Sequence, residues 1–354
     1  MFSMLRHSTF LPILLALLLA SGCASKHIAN EEAFDDLAAR KAEAFTGDTD
    51  SALDKAEDAL ITARNENIAL YSPLHWQQMN ESIKTARKDD LAGKNQQAIE
   101  AAAWTLTLFE SAMTNKQKVE DRLSVLLVQK QTLEEIKANK VLPAAYQKQF
   151  EQIKALAQRI EAGRDGNMND DISDLLEDMQ ALERDTMLEL HWRPARKTLD
   201  KAEDEGVDDF AADTFRAAEK LTEEARDTIS DQYPNRVLSE QIGKRALRAA
   251  QHALYIGREA EKIINMDIDD AEQAALRFED YLHQLAEALN AGDLRNMAFI
   301  DQTLALVQKA NELSVNIKAP LEKRIQELTS RLHTLESEAS VPVPATSKPK
   351  LSQP

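Results

Sequence analysis

The segment QQAIEAAAWTLTLFESAM, residues 96–113, shows in its spacing what kind of fold the chain adopts. Its apolar side chains recur every three or four residues, which is the period of one buried face of an α-helix. The alternation of apolar and polar residues that marks a half-buried strand is nearly absent from the whole sequence. We therefore predict an all-α fold without a β-sheet.

The same helical period continues on both sides of this segment, with breaks at glycine, proline and asparagine. Long helices joined by short breaks favour an array of antiparallel neighbours, and an aromatic content of only 5% favours an elongated array with a thin core. The predicted helices cover residues 31–45, 53–70, the stretch from Pro73 to Gly93, 96–139, 143–162, 171–205 with a kink or restart at Pro194, 213–230, 236–264, 267–290, and a last helix within 293–339.

The composition argues against several classes of protein. A formal net charge of −17 at pH 7 argues against nucleic acid as a partner, because phosphate groups repel an acidic surface. A hydrophobic content of 43% is too high for wholesale disorder. Since Cys23 is the single cysteine, no internal disulfide can form, and stability must come from packing.

Residues 11–23, LPILLALLLASGC, form a short apolar run that ends in small residues and Cys23. The run is too short to span a bilayer comfortably, so a cleaved export signal explains it better than a buried helix or a transmembrane anchor. The residues around the cysteine resemble the lipobox of bacterial lipoproteins. That resemblance implies a signal peptide over residues 1–22, cleavage before Cys23, and fatty acyl chains such as palmitate on Cys23.

Several acyl chains on one residue bind a membrane almost permanently. Ala24 and Ser25, rather than Asp, follow Cys23, which resembles the default sorting of lipoproteins to the outer membrane. The resemblance therefore implies an outer-membrane lipoprotein whose body faces the periplasm. A lipidated tether over residues 23–30 would connect the body to the membrane.

An internal repeat links two parts of the chain. The hexapeptide LDKAED occurs at residues 53–58 and again at residues 199–204. At a slightly different offset Trp76 aligns with Phe215, and each copy continues into an alanine-rich helix; chance similarity in a sequence rich in Ala and Glu is the alternative. The predicted regions are a first helical region with copy 1 (31–163), a second with copy 2 (164–292), a C-terminal long helix or coiled-coil segment (293–339) and a disordered tail (340–354).

The repeated form, an aromatic residue and a turn between helices with spaced alanines, resembles the envelope family catalogued as domain of unknown function 4398. The resemblance covers residues 53–113, with Ala98 and Ala102 in the alanine-spaced helix, and more weakly residues 202–263. It implies a lipoprotein of the cell envelope, and some members also carry an OmpA-like peptidoglycan-binding domain. This chain has no recognisable domain of that kind, and the resemblance implies no catalytic residues.

Side chains that could take part in catalysis or bind a metal are dispersed along the sequence. The histidines show no pairing at helical spacing and have no thiol partner, which predicts no transition-metal site. Residues 165–171 are similar to a calcium loop, but Leu176 stands where such a loop needs a bidentate Glu. Adjacent acids such as Asp170 and Asp171 lie at helix starts, where they favour the helix dipole. We predict no catalytic, metal or cofactor site, and Cys23 is the one predicted site residue.

Five apolar residues after Pro320 follow a spacing of 4, 3, 4 and 3, which makes about two heptads of a coiled-coil seam. Packing of this seam on a neighbouring helix of the same chain is the preferred interpretation, and dimerisation is the alternative. The seam residues are Leu321, Ile325, Leu328, Leu332 and Leu335.

The anchor, the repeat and the dispersed chemistry favour an outer-membrane lipoprotein whose helical body is a structural or adaptor element with an envelope protein as partner. A peptidoglycan-associated or regulatory lipoprotein that acts on an envelope machine is one alternative. A hydrolase without a sequence signature is a second, less favoured one. An enzyme is not predicted.

Overall fold

The computed structural model describes residues 27–339, with side chains up to residue 336. These residues form α-helices and no strand, which confirms the predicted all-α fold. The predicted signal peptide, Cys23 and the predicted tail at 340–354 lie outside the described residues. The helices are α1 (Glu32–Glu43), α2 (Thr49–Asn65), α3 (Ile68–Tyr71), α4 (Pro73–Leu91), α5 (Asn95–Arg122), α6 (Ser124–Glu135), α7 (Ala138–Val141), α8 (Pro143–Glu161), α9 (Asn169–His191), α10 (Arg193–Asp204), α11 (Val207–Phe210), α12 (Ala212–Gln232), α13 (Arg236–Ile264), α14 (Ile268–Leu289) and α15 (Phe299–Ala339).

A motif of four helices occurs three times in succession, as α2–α5, α6–α9 and α10–α13. Each copy has a first helix, a helix of four residues, a second helix and a third helix. In every copy the residue before the four-residue helix is left-handed, and the residue after it has a φ outside the helical range. The left-handed residues are Asn67 (φ +57°), Lys137 (φ +61°) and Gly206 (φ +69°), and the others are Ser72 (φ −144°), Leu142 (φ −129°) and Ala211 (φ −140°).

The first and third copies are related by an offset of 139 residues, which is the offset that aligns Trp76 with Phe215, whereas the two LDKAED hexapeptides do not occupy equivalent places. The structure also contains a middle copy that the sequence comparison missed. The first and third copies use alanine at two core positions of the first helix where the middle copy uses leucine. A comparison based on spaced alanines therefore passes over the middle copy. These equivalent, fully buried positions are Ala56, Leu126 and Ala195, and then Ala63, Leu133 and Ala202.

Successive copies are joined without a loop. The helix predicted for residues 96–139 is wrong in its length, because it breaks at Leu123, where α5 ends, and again at Lys137. The apolar period hides the first break because Leu123 is itself fully buried in the core. The predicted restart near Pro194 is confirmed, since Trp192 alone separates α9 from α10.

The largest hydrophobic core runs through all three copies. It combines Leu70 of the first copy, Ile153 of the middle copy and Ile229 of the third. The predicted boundary between residues 163 and 164 lies between α8 and α9, which both contribute to this core, so it falls inside the middle copy. Contacts divide the chain after Ala260 into two compact units, which are described separately.

Helices of the third copy approach closely enough to require glycine. A Cβ atom at Gly243 of α13 would lie 2.5 Å from the backbone oxygen of His191, at the end of α9. A Cβ atom at Gly257 would lie 2.5 Å from Cγ1 of Val207 in α11. Both distances are too short for non-bonded atoms, so α13 can pack here only because these residues lack a side chain.

The second unit contains α14 and α15 and the segment that joins them. Leu282, Ala286 and Leu306 form its small core, and the rings of Phe278 and Phe299 lie 5.8 Å apart. The helices differ in length, with 22 residues in α14 and 41 in α15. A large part of α15 therefore has no counterpart on α14 to pack against.

The coiled-coil seam lies in this second half of α15. The helix continues through Pro320 as one element, and each of the five seam side chains is 50–62% exposed. The prediction that the seam packs on a neighbouring helix of the same chain is therefore wrong, because α14 is too short to cover it.

Candidate functional site

A buried polar cluster joins the first and middle copies. It consists of His75 in the first turn of α4, Ser111 in α5 and Glu161, the last residue of α8. Nδ1 of His75 lies 2.7 Å from Oε1 of Glu161, and its Nε2 lies 2.8 Å from Oγ of Ser111. The side chains of His75 and Glu161 are 2% and 0% exposed.

Glu161 also caps α4. The first amide groups of a helix have no partner inside the helix, and a carboxylate near them is favoured by the helix dipole. The backbone N–H groups of Leu74 and His75 donate to Glu161, at 2.9 and 3.0 Å. Ser72, which precedes the helix, does not cap it, because its hydroxyl donates to the carbonyl of Ala112. The middle copy thus supplies the cap that the first copy lacks.

The N-terminal segment docks at the same place. Ile28 is buried in the core of the first copy, and the N–H of Ala29 donates to the carbonyl of Glu161 at 2.8 Å. The predicted tether of residues 23–30 is therefore wrong at its C-terminal end, where Ile28 and Ala29 belong to the folded body. Apolar burial of Ile28 stabilises this arrangement.

The cluster has the connectivity of a Ser–His–Glu hydrolase triad, but its surroundings fit a structural contact between two copies better. His75 is 1% exposed, and Ser111 lies within the long helix α5, where backbone N–H groups are engaged in helical hydrogen bonds. Acyl transfer needs a base that the substrate can reach and free N–H donors for the oxyanion. The carboxylate of Glu161 already accepts two backbone N–H groups, so its position is set by the capping of α4.

Sequence reasoning missed this cluster because its partners are far apart. His75 is separated from Ser111 by 36 residues and from Glu161 by 86. A histidine just after a helix-starting proline and a glutamate at a helix end are both common, so neither position carries a local signal. Packing of α4 on α5 within the first copy brings His75 to Ser111, and packing of the middle copy against the first brings Glu161 to His75.

Ion pairs connect the end of the first helix of a copy to its third helix. In the first copy Lys116 lies 2.5 Å from Glu66, and this hydrogen bond raises the pKa of Lys116. In the third copy Arg258 donates to both oxygens of Glu205, at 2.6 and 2.7 Å, and holds the pKa of that carboxyl below its ordinary value. Both acids directly precede the left-handed residue, so these pairs mark equivalent places in the two copies.

Three adjoining depressions between α1, α4 and α5 share Trp104, and together they form what we call the Trp104 groove. The ring of Trp104 lies 6.1 Å from that of Phe34, edge-on at 65°. Among residues 27–339, no lysine or arginine lines the depressions, and His27 and Ile28 line one of the three. The acidic lining residues are Glu31, Glu32, Asp35, Glu43, Glu81 and Glu100.

The chemistry of the Trp104 groove suits a cationic ligand. Carboxylates attract positive charge, and the face of an indole ring stabilises an ammonium or guanidinium group within about 6 Å. The groove is open and shallow, which suits the side chains of a partner protein better than an enclosed small molecule. Sequence reasoning missed it because its acids come from three helices that are separated in sequence.

The paired acids at helix starts lie where the sequence analysis predicts them. Asp170 and Asp171 are in the first turn of α9, and Asp171 forms an ion pair with Arg159 of α8. Within residues 27–339, no three His, Cys, Asp or Glu side chains converge to hold a metal ion. In the same residues no helix combines the length and apolarity needed to cross a membrane. Cys23 lies outside the described residues, so its lipidation stays a prediction.

Comparison of the chain with models of known protein families, with curated protein sequences and with solved structures finds no significant match. The resemblance to the envelope family therefore rests on the residues quoted for it above.

Proposed function

We propose that the chain is an outer-membrane lipoprotein, anchored through Cys23, whose periplasmic helical body acts as a structural or adaptor element. In this proposal the Trp104 groove binds a basic segment of an envelope protein. The supporting observation is the position of the groove, since His27 and Ile28, which follow closely on Cys23, line it. An adaptor needs its binding surface near its anchor, and this chain would have both.

The distance between anchor and groove is limited by the chain itself. From Cys23 to His27 the chain can span at most about 14 Å, at roughly 3.5 Å per residue. With Ile28 buried, the part of the groove that His27 lines would stay within that distance of the membrane interface. The acidic lining would repel anionic lipid headgroups and leave the groove open for a basic protein segment.

In-cell photo-crosslinking tests the proposed role of the groove. A photoreactive residue at Ala39, which is exposed and lines the groove, is introduced into the full chain. We expect a specific adduct with an envelope protein that is lost when Asp35→Lys and Glu100→Lys reverse the charge of the groove. The matched control, Glu219→Lys with Asp231→Lys on α12, should retain it. An adduct that both double variants retain would contradict binding in the groove.

A hydrolase is a second candidate, favoured only by the triad-like connectivity of His75, Ser111 and Glu161. Reaction with a fluorophosphonate probe distinguishes the two functions, because an activated serine is labelled by such a reagent. Labelling of the wild type that is lost in Ser111→Ala would support a hydrolase. We expect no labelling of Ser111, because in our interpretation the cluster is a structural contact between copies.

A further inference from the structure

The second half of α15 presents an apolar stripe to solvent. The five seam residues between 321 and 335 are each 50–62% exposed, although leucine and isoleucine are usually buried. Contiguous exposed apolar surface of this kind marks an interaction site. Another helix with a matching stripe would cover it.

The stripe has the register of a coiled coil. Its spacing places Ile325 and Leu332 at the a positions of the heptad and Leu321, Leu328 and Leu335 at the d positions. Leucine at every d position, with a β-branched residue at one of the two a positions, favours two strands. A second copy of the same helix therefore has the residues needed to pack against this stripe.

The flanking charges select the orientation of that second copy. Glu322 and Glu336 occupy e positions, and Arg324 and Arg331 occupy g positions. In a parallel pair a g residue faces the e residue of the following heptad on the other helix, so Arg331 faces Glu336. In an antiparallel pair g faces g and e faces e, which brings arginine against arginine and glutamate against glutamate. Within residues 321–336, where the structure describes the side chains, only the parallel pair brings these opposite charges together.

We propose that residues 321–335 form a homodimerisation surface through which two copies of the chain pair in parallel and in register. About two heptads bury little surface, so the pair forms reversibly and its population rises with concentration. The proposal is independent of lipidation and of the Trp104 groove.

Single cysteines in the full chain test the register. We expect Leu328→Cys to give a disulfide-linked dimer under mild oxidation, because d positions of parallel helices in register face each other. Ser330→Cys, at the outward f position, should give no more dimer than the wild type, which controls for Cys23. In an antiparallel pair a positions face d positions, so Cys at 328 would not meet its own copy. Equal crosslinking of the two variants would overturn the proposal.

A charge swap tests the orientation without a covalent bond. In sedimentation of the full chain, Arg331→Glu and Glu336→Arg should each raise the dissociation constant of the dimer by about tenfold, and their combination should restore it. These side chains are exposed, so helical content by circular dichroism should stay unchanged. A strengthened dimer in Arg331→Glu would indicate antiparallel pairing, and no effect of any variant would indicate that the seam is not the interface. Either result would overturn the proposal.

Discussion

Oε1 of Glu161 lies 2.7 Å from Nδ1 of His75 across 86 residues of sequence, and both side chains are almost completely removed from solvent. Glu161 ends the second helix of the middle copy, and His75 lies in the first turn of the second helix of the first copy. The contact therefore helps to fix how these two copies pack, because a buried carboxylate that accepts three hydrogen bonds has only one favourable position.

Removal of this carboxylate should destabilise the first unit strongly. Glu161→Ala leaves Nδ1 of His75 and two backbone amide groups without their buried partner, so we expect the free energy of unfolding to fall by about 3–5 kcal/mol in urea titrations. The matched control is Glu151→Ala on the same helix, whose exposed side chain should matter by about 0.5 kcal/mol at most. Similar losses in both variants would show that the contact between Glu161 and His75 contributes no more to the free energy of unfolding than an exposed side chain does.

A side chain at Gly243 should separate α13 from α9. The Cβ atom of Gly243→Ala would lie 2.5 Å from the backbone oxygen of His191, and this atom can move only with its helix. We expect a loss of about 1–3 kcal/mol in the free energy of unfolding. Gly166→Ala is the control, because its Cβ atom would meet nothing within 4 Å. Equal stability of the two variants would contradict the close packing of α13.

Relief of backbone strain at Lys137 should stabilise the middle copy. Lys137 has a φ of +61°, a conformation that costs about 1–2 kcal/mol in residues with a Cβ atom, whereas the third copy has glycine at the equivalent Gly206. Since glycine loses more entropy on folding, the net gain expected for Lys137→Gly is about 0.5–1 kcal/mol in thermal or urea unfolding. Lys140→Gly, inside the four-residue helix α7, should instead be destabilising. A loss at both positions would argue against the left-handed turn.

Acid should destabilise the protein partly through His191. Burial lowers the pKa of His191, Glu240 opposes this shift and Lys244 adds to it. The unfolded chain therefore takes up a proton near pH 6.5, while the folded chain does so only at lower pH, so stability falls as the pH drops below about 6.5. We expect His191→Asn to lose less stability than the wild type between pH 7.5 and 5.5. The carboxylates contribute equally to both proteins, so equal losses would contradict this role of His191.

The sequence was sufficient to predict the helices and many of their breaks, because these depend on local signals. Periodicity and the flanking breaks predicted α13 at the residues that it occupies, Arg236–Ile264, and Pro143 opens α8 as expected. The breaks at Leu123 and Lys137 were not predicted, since neither position carries a proline or glycine. At these places tertiary packing determines the backbone.

Features that depend on several elements at once were not predictable from one sequence. The partners of His75 come from other helices, and the acids of the Trp104 groove come from three. The middle copy was missed because Leu126 and Leu133 occupy core positions where the other two copies have alanine. The helices are the same, but the residue types differ, so a comparison of sequences does not align them. The seam in α15 was recognised, yet its exposure depends on the length of α14.

Lipidation of Cys23 is the claim on which the proposed location and the role of the Trp104 groove both depend. Metabolic labelling of cells with a clickable palmitate analogue tests it most directly, in the wild type and in Cys23→Ala. The account predicts that the wild-type protein carries the label and that Cys23→Ala does not. Equal labelling of the two proteins, or none in either at equal expression, would contradict it.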